Sequence, residues 1–232
     1  MQTVQLRVRL RGDSERMGAC AAGCAAAYAP VRASAVAFSP GGLLTSTVAM
    51  GNKVMATALP EVKLIEPEVF CDEFGFCFES FSADEFTDDV SQGFNFVQDR
   101  HLRAVRGVLR GLHYQVHRPQ GRLVRVAVGE VFDVAVDVRL NSPTFGKWSG
   151  EHLSAVNHRQ MWVPPGFAHG FVVLSDVAEC LWKTTEYWFP ELERCILWSD
   201  PDIGIEWPIE IEPVLGAKDA AGRRLYEAEN IA

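Results

Sequence analysis

From Pro60 onward, short apolar runs are broken by Gly, Pro, Asn and Asp at the spacing of an all-β fold. The stretch "GEVFDVAVDVR" alternates most cleanly: Phe132, Val134, Val136 and Val138 point one way, and Val131, Asp133, Ala135 and Asp137 the other. The first set reads as core. The second is mixed, and either lines a ligand cavity or meets water. Further strand candidates are "VKLIEP", "GFCFESF", "FNFVQDRH", "VLRGLHYQ", "RLVRVAVG", "GKWSGEHLS", "RQMWVPP", "AHGFVVLS" and "AECLWKTTEYW". Turn signals separate them in "RPQG", "NSPTFG" and "PPGFAHG", and "SADEFTDDV" reads as a short helix or turn. No repeat at solenoid spacing and no long helical period is present. The pattern therefore predicts a β-sandwich or barrel with short peripheral helices.

Composition narrows the function. The 232 residues are 48% hydrophobic with a mean hydropathy of +0.01, enough for one sizeable globular core. A net charge of -8 argues against nonspecific nucleic-acid binding, and no apolar run approaches a membrane span of about 20 residues. Six cysteines, at 20, 24, 71, 77, 180 and 195, are too scattered to staple the chain and read as reduced thiols of a cytoplasmic protein. Residues 1–54 carry five Arg and one Lys against one Asp and one Glu, with many Ala, Gly and Ser. They read as a poorly ordered extension, with the domain proper at 55–232.

Candidate chemistry gathers in "VRGVLRGLHYQ". A lone strand histidine such as His113 is more often structural than catalytic. Arg110 beside it changes the balance, because guanidinium groups bind phosphate bidentately and seldom enter a β core without an anion. Arg122 and Arg125 follow in a strand expected nearby. His169, after the Pro-Pro-Gly turn, either bonds within that turn or joins a site. A metal centre of His101, His113 and His169 lacks the close His-x-His pair, and Cys20 and Cys24 lack a second ligand pair. Nothing resembles the glycine loops of nucleotide-binding α/β folds, so a bound nucleotide would be held by side chains. Trp182 and Trp188 serve packing, or offer flat faces to a base or sugar.

Taken together, "RGVLRGLHYQ", "QGRLVRVAVGEVFDVAVDVR", "SPTFGKW", "PPGFAHGFVVLS" and "GAKDA" resemble the dTDP-4-dehydrorhamnose 3,5-epimerase family in order and spacing, from about Met55 to Ala221. The resemblance implies a cupin-type jelly roll, a homodimer, and no metal or organic cofactor. It implies epimerisation at C3 and C5 of dTDP-4-dehydro-6-deoxy-D-glucose, a step toward L-rhamnose. By match to the family, His113 is the base and Asp219 the carboxylate supporting it. Arg122 stands at the usual Lys, near the developing oxyanion. Arg110 would grip the diphosphate, while Glu79, Gln98, Asp133, His169 and Lys218 would line the pocket, with Tyr187 or Trp188 near the base or sugar.

The chain departs from the family pattern in the pocket. Trp182 stands at the tyrosine expected to donate a proton opposite His113, and an indole N–H is no useful acid. Phe74 replaces an arginine, Cys71 and Cys77 replace a Gly and an aromatic, and Arg100 and Leu102 break an "Asp-Asn-His-Ser" run. Three readings follow: a full 3,5-epimerase, a single-centre epimerase, or a noncatalytic nucleotide-sugar binder.

Overall fold

The computed structural model describes residues 51–84, 86, 90, 93–229 and 231. Residues 1–50, with Cys20, Cys24 and nearly all of the expected extension, lie outside the described residues. The strand β1 (Lys53–Ala56) begins inside the expected extension, pairing Lys53 with Glu66 and Val54 with Ile65 of β2 (Lys63–Glu66). Of "SADEFTDDV", Ala83, Asp84 and Phe86 are helical.

Chain contacts divide the protein into two units, and the described part of the smaller is Val69–Phe78. In it β3 (Phe70–Cys71) pairs with β4 (Phe76–Cys77). Asp72 Oδ1 accepts from the N–H groups of Phe74 and Gly75 at 2.8 and 2.9 Å, an Asx turn that leaves Phe74 88% exposed at the tip.

The larger unit contains two facing sheets. One runs β1, β2, β10 (Gln160–Val163), β7 (Arg122–Val128), β12 (Val177–Thr184), β5 (Gln98–Val105). The other runs β13 (Glu193–Cys195), β6 (Val108–Gln115), β11 (Phe167–Val173), β8 (Glu130–Asp137), β9 (Trp148–Ser154), and β14 (Val214–Leu215) joins β6 in parallel. From β5 to β13 consecutive strands lie in opposite sheets, except β8 and β9, which pair directly. This switching makes the unit a cupin-type jelly roll. Among the described residues no helix is long and apolar enough to cross a membrane.

The alternation in β8 divides two cores. Val131 and Ala135 pack between the sheets with Val124, Val126, Met161, Phe171 and Cys180. Phe132, Val134, Val136 and Val138 pack on the other side with Ile196, Ile203 and Leu225 from the C-terminal segment. Both faces of β8 are therefore buried, and the mixed face is the barrel interior, where Asp133 and Asp137 are 0% exposed.

Strand β6 breaks the two-residue rhythm. Against β11, His113 pairs with His169 and Arg110 with Phe171, so three residues of β6 span two of β11. Gly111 and Leu112 form this bulge, and it puts Arg110 and His113 on the same cavity although an odd separation would ordinarily place them on opposite faces. Arg122 and Arg125 show the ordinary case: β7 is regular there, and only Arg122 reaches that cavity. Gly111 has φ +127°, and a Cβ on it would fall 2.5 Å from Gly170 Cα and 2.8 Å from the His169 carbonyl oxygen. Substituting Gly111→Ala should therefore destabilise the fold by at least about 2 kcal/mol, read as a lower urea midpoint, since neither backbone can yield cheaply. An unchanged midpoint would show that the strands do not approach this closely.

Candidate functional site

One cavity of about 220 Å³ opens between the sheets, and its wall includes Arg100, Arg110, His113, Gln120, Arg122, His169, Trp182, Trp188, Glu193 and Lys218. Five of the expected site residues, Arg110, His113, Arg122, His169 and Lys218, thus meet on one wall with Trp182.

His113 is backed by a buried carboxylate. Asp219 lies on the short helix α1 (Ala217–Ala220), is 1% exposed, and places Oδ1 3.0 Å from His113 Nε2. That contact lies off the ring N–H direction and is a close electrostatic contact more than a well-aligned hydrogen bond. Asp219 also accepts from Gly111 N–H at 2.9 Å and Arg110 Nη1 at 3.4 Å. Burial works to raise its carboxyl, but His113, the Gly111 N–H and Arg110 outweigh it and hold it below the usual carboxylate range. For His113, burial dominates and lowers the imidazole below 6.5, against the raising influence of Asp219. His113 is thus a neutral imidazole near pH 7, with Nε2 toward Asp219 and Nδ1 left for another partner.

A second histidine is fixed by a charged chain across the barrel. His169 Nε2 donates to Asp133 Oδ1 and Oδ2, at 2.8 and 3.0 Å. Arg122 Nη1 stands 3.2 Å from His169 Nδ1, and a guanidinium can only donate, so Nδ1 is the acceptor and Nε2 carries the proton. Burial pushes the Arg122 guanidinium down to about 10, with Asp133 opposing and Arg100 adding to the fall. It remains charged at neutral pH, and offers hydrogen-bond donors beside His169.

The remaining expected residues fall elsewhere. Asp133 and Asp219 stand behind their histidines rather than on the wall. Gln98 is at one remove, its Oε1 accepting the Trp188 N–H at 3.2 Å. Glu79 is half-buried off the cavity, and Tyr187 is 53% exposed and also off it, whereas its neighbour Trp188 is on the wall. His101 faces away from the cavity and contacts Glu179 at 3.0 Å, so a centre of His101, His113 and His169 does not assemble. Three other groups, His113, Cys195 and Asp219, have donor atoms within 4.8 Å of one another. The surrounding Arg110, Arg122 and Lys218 make the cavity positive, which favours an anion over a cation.

Sequence reasoning missed Glu193. Register brings Cys195 of β13 opposite His113, and Glu193 Oε1 lies 3.9 Å from His113 Nδ1 while its Oε2 pairs with Lys218. No local signal marks it, because its neighbours come from β6 and α1. Followed by NMR, His113 should titrate below 6.5, and Asp219→Asn should lower it further by removing the carboxylate that favours the imidazolium. A value above 6.5 in either protein would contradict this electrostatic account.

The family model described as dTDP-4-dehydrorhamnose 3,5-epimerase matches residues 56–227. The dTDP-4-dehydrorhamnose 3,5-epimerase of Pseudomonas aeruginosa is 56% identical over 177 residues, covering 76% of this chain and 98% of that protein. The enzyme of the same name from Salmonella typhimurium is 55% identical over 176 residues, 75% of this chain and 96% of that protein. Among solved structures, dTDP-6-deoxy-D-glucose-3,5-epimerase of Legionella pneumophila, in complex with dTDP-4-keto-L-rhamnose, superposes with a TM-score of 0.76 at 48% identity, covering 77% of this chain and 95% of that one. A 3'-monoepimerase of Streptomyces bikiniensis in complex with dTDP-quinovose gives 0.69 at 30% identity, covering 74% and 87%. The chain belongs to the dTDP-4-dehydrorhamnose 3,5-epimerase family.

Proposed function

We propose that the protein epimerises C3 and C5 of dTDP-4-dehydro-6-deoxy-D-glucose, giving dTDP-4-dehydro-L-rhamnose in dTDP-L-rhamnose biosynthesis. The observation that carries this reading is a neutral His113, backed by buried Asp219, on the wall of a cavity that also presents Arg122 and His169. A hydrogen beside a C4 ketone becomes removable when its carbanion is delocalised onto oxygen as an enolate. In this mechanism His113 Nδ1 takes that proton, and Asp219 and Glu193 stabilise the imidazolium that forms. Arg122, held in place by His169 Nδ1, is suited to stabilise the enolate oxygen by hydrogen bonding and charge. Arg110 and Lys218 supply positive charge for the diphosphate. The chemistry uses acid, base and electrostatics, and calls for no cofactor. We place the enzyme in the cytoplasm, as its scattered cysteines suggest, and as a homodimer, as the family resemblance implies.

A second reading, inversion at one centre only, is favoured by Trp182. Its register neighbours are Arg100 on β5 and Val124 on β7, and it occupies the wall where the family pattern has tyrosine. Among the described residues no tyrosine lines the cavity, so a proton returning on that side must come from water or another donor.

NMR of the substrate in D2O distinguishes these readings. Deuterium at both C3 and C5, slowed by about 10² to 10⁴ in His113→Ala, is the expected result. Exchange at one centre, extended to both by Trp182→Tyr, would establish the single-centre reading. Tight substrate binding with no exchange in the natural protein would leave a noncatalytic binder.

A further inference from the structure

The cavity's basic side chains are unevenly partnered. Arg110 contacts Asp219, Arg122 contacts His169 and Gln120, and Lys218 pairs with Glu193. Arg100 is different: among the described residues it takes part in no salt bridge or side-chain hydrogen bond, and its guanidinium lies over the Trp188 ring, 4.5 Å from the centroid. It is half-buried on the inward side of β5, where residues 98, 100, 102 and 104 alternate with exposed neighbours.

This placement leaves a cation in want of an anion. Arg100 adds positive charge to a wall already holding Arg110, Arg122 and Lys218, and it depresses the guanidinium of Arg122 and the ammonium of Lys218. Clustered like charges in a partly dry cavity are costly without a counter-ion. A guanidinium held over an indole ring can keep N–H donors free for phosphate oxygens. The main chain at Trp188 is anchored to the same strand, since its backbone N–H donates to Gln98 Oε1, two residues from Arg100. The sequence points the same way: where the family pattern has asparagine this chain has Arg100.

We propose that Arg100 is a specificity-determining residue that binds the diphosphate of the nucleotide sugar, held for that task by Trp188. The proposal rests on the nucleotide-sugar reading above. It makes the diphosphate, more than the base or sugar, the part of the ligand that Arg100 senses.

Calorimetric titration with dTDP and with thymidine tests this, alongside steady-state kinetics, on the natural protein, Arg100→Asn and Arg100→Lys. The expected result is a loss of dTDP affinity of about 10- to 100-fold in Arg100→Asn, with thymidine changed less than about 2-fold. KM should rise correspondingly while kcat stays within about 3-fold, and Arg100→Lys, which keeps the charge, should lose less than Arg100→Asn. Equal losses for dTDP and thymidine would overturn the proposal, because Arg100 would then act only through Trp188. Unchanged dTDP affinity in Arg100→Asn would overturn it as well. Failure of the natural protein to bind dTDP would instead remove the nucleotide-sugar reading, and this proposal with it, before any variant is compared.

Discussion

The site depends on one irregularity in a sheet. Side chains in a regular strand alternate, so two groups three residues apart cannot serve one cavity. The bulge at Gly111 and Leu112 restores that possibility for Arg110 and His113. It also turns the Gly111 N–H toward Asp219, so the distortion that aligns the two side chains supplies a hydrogen bond to the carboxylate between them. The close passage of Gly111 against Gly170 makes room for this arrangement, and a side chain on either would meet backbone atoms of the other strand.

Around that bulge, buried charge is managed by pairing. Isolated carboxylates as deeply buried as Asp133 and Asp219 would be expensive, and each is instead in contact with a histidine. The two pairs differ in consequence. His169 is held between Asp133 and Arg122 and has both ring nitrogens occupied, whereas His113 keeps Nδ1 toward the cavity and the carboxylate of Glu193. One imidazole is thereby positioned as a fixed dipole, and the other as a group able to exchange a proton.

Much of this was legible in the sequence where local periodicity determines the outcome. The alternation in "GEVFDVAVDVR" placed Asp133 on the mixed face, and the motif around His113 and Arg110 pointed to two residues that the structure puts on one cavity. Other features depend on register between distant segments. Glu193 reaches His113 only because β13 pairs with β6, and Gln98 is drawn to the Trp188 backbone instead of the cavity because β5 borders β12. Tyr187 and Trp188 are adjacent aromatics that composition treats alike, and the chain's exit from β12 decides that the second faces the cavity. The odd spacing of Arg110 and His113 could be noticed in the sequence, but the bulge that reconciles it is a property of the pairing with β11.

The position of α1 carries a further consequence for how the protein comes into being. His113 belongs to a strand flanked by β11 and β13, while its carboxylate arrives on a short helix after β14 has been laid in parallel against β6. On the ribosome, the strands of both sheets up to β13 leave the exit tunnel before Asp219 does. A nascent barrel can therefore assemble its walls while the histidine still lacks its partner, and the His113–Asp219 pair is completed only when the last segment docks. A half-made chain thus presents a basic cavity whose histidine has no carboxylate behind it.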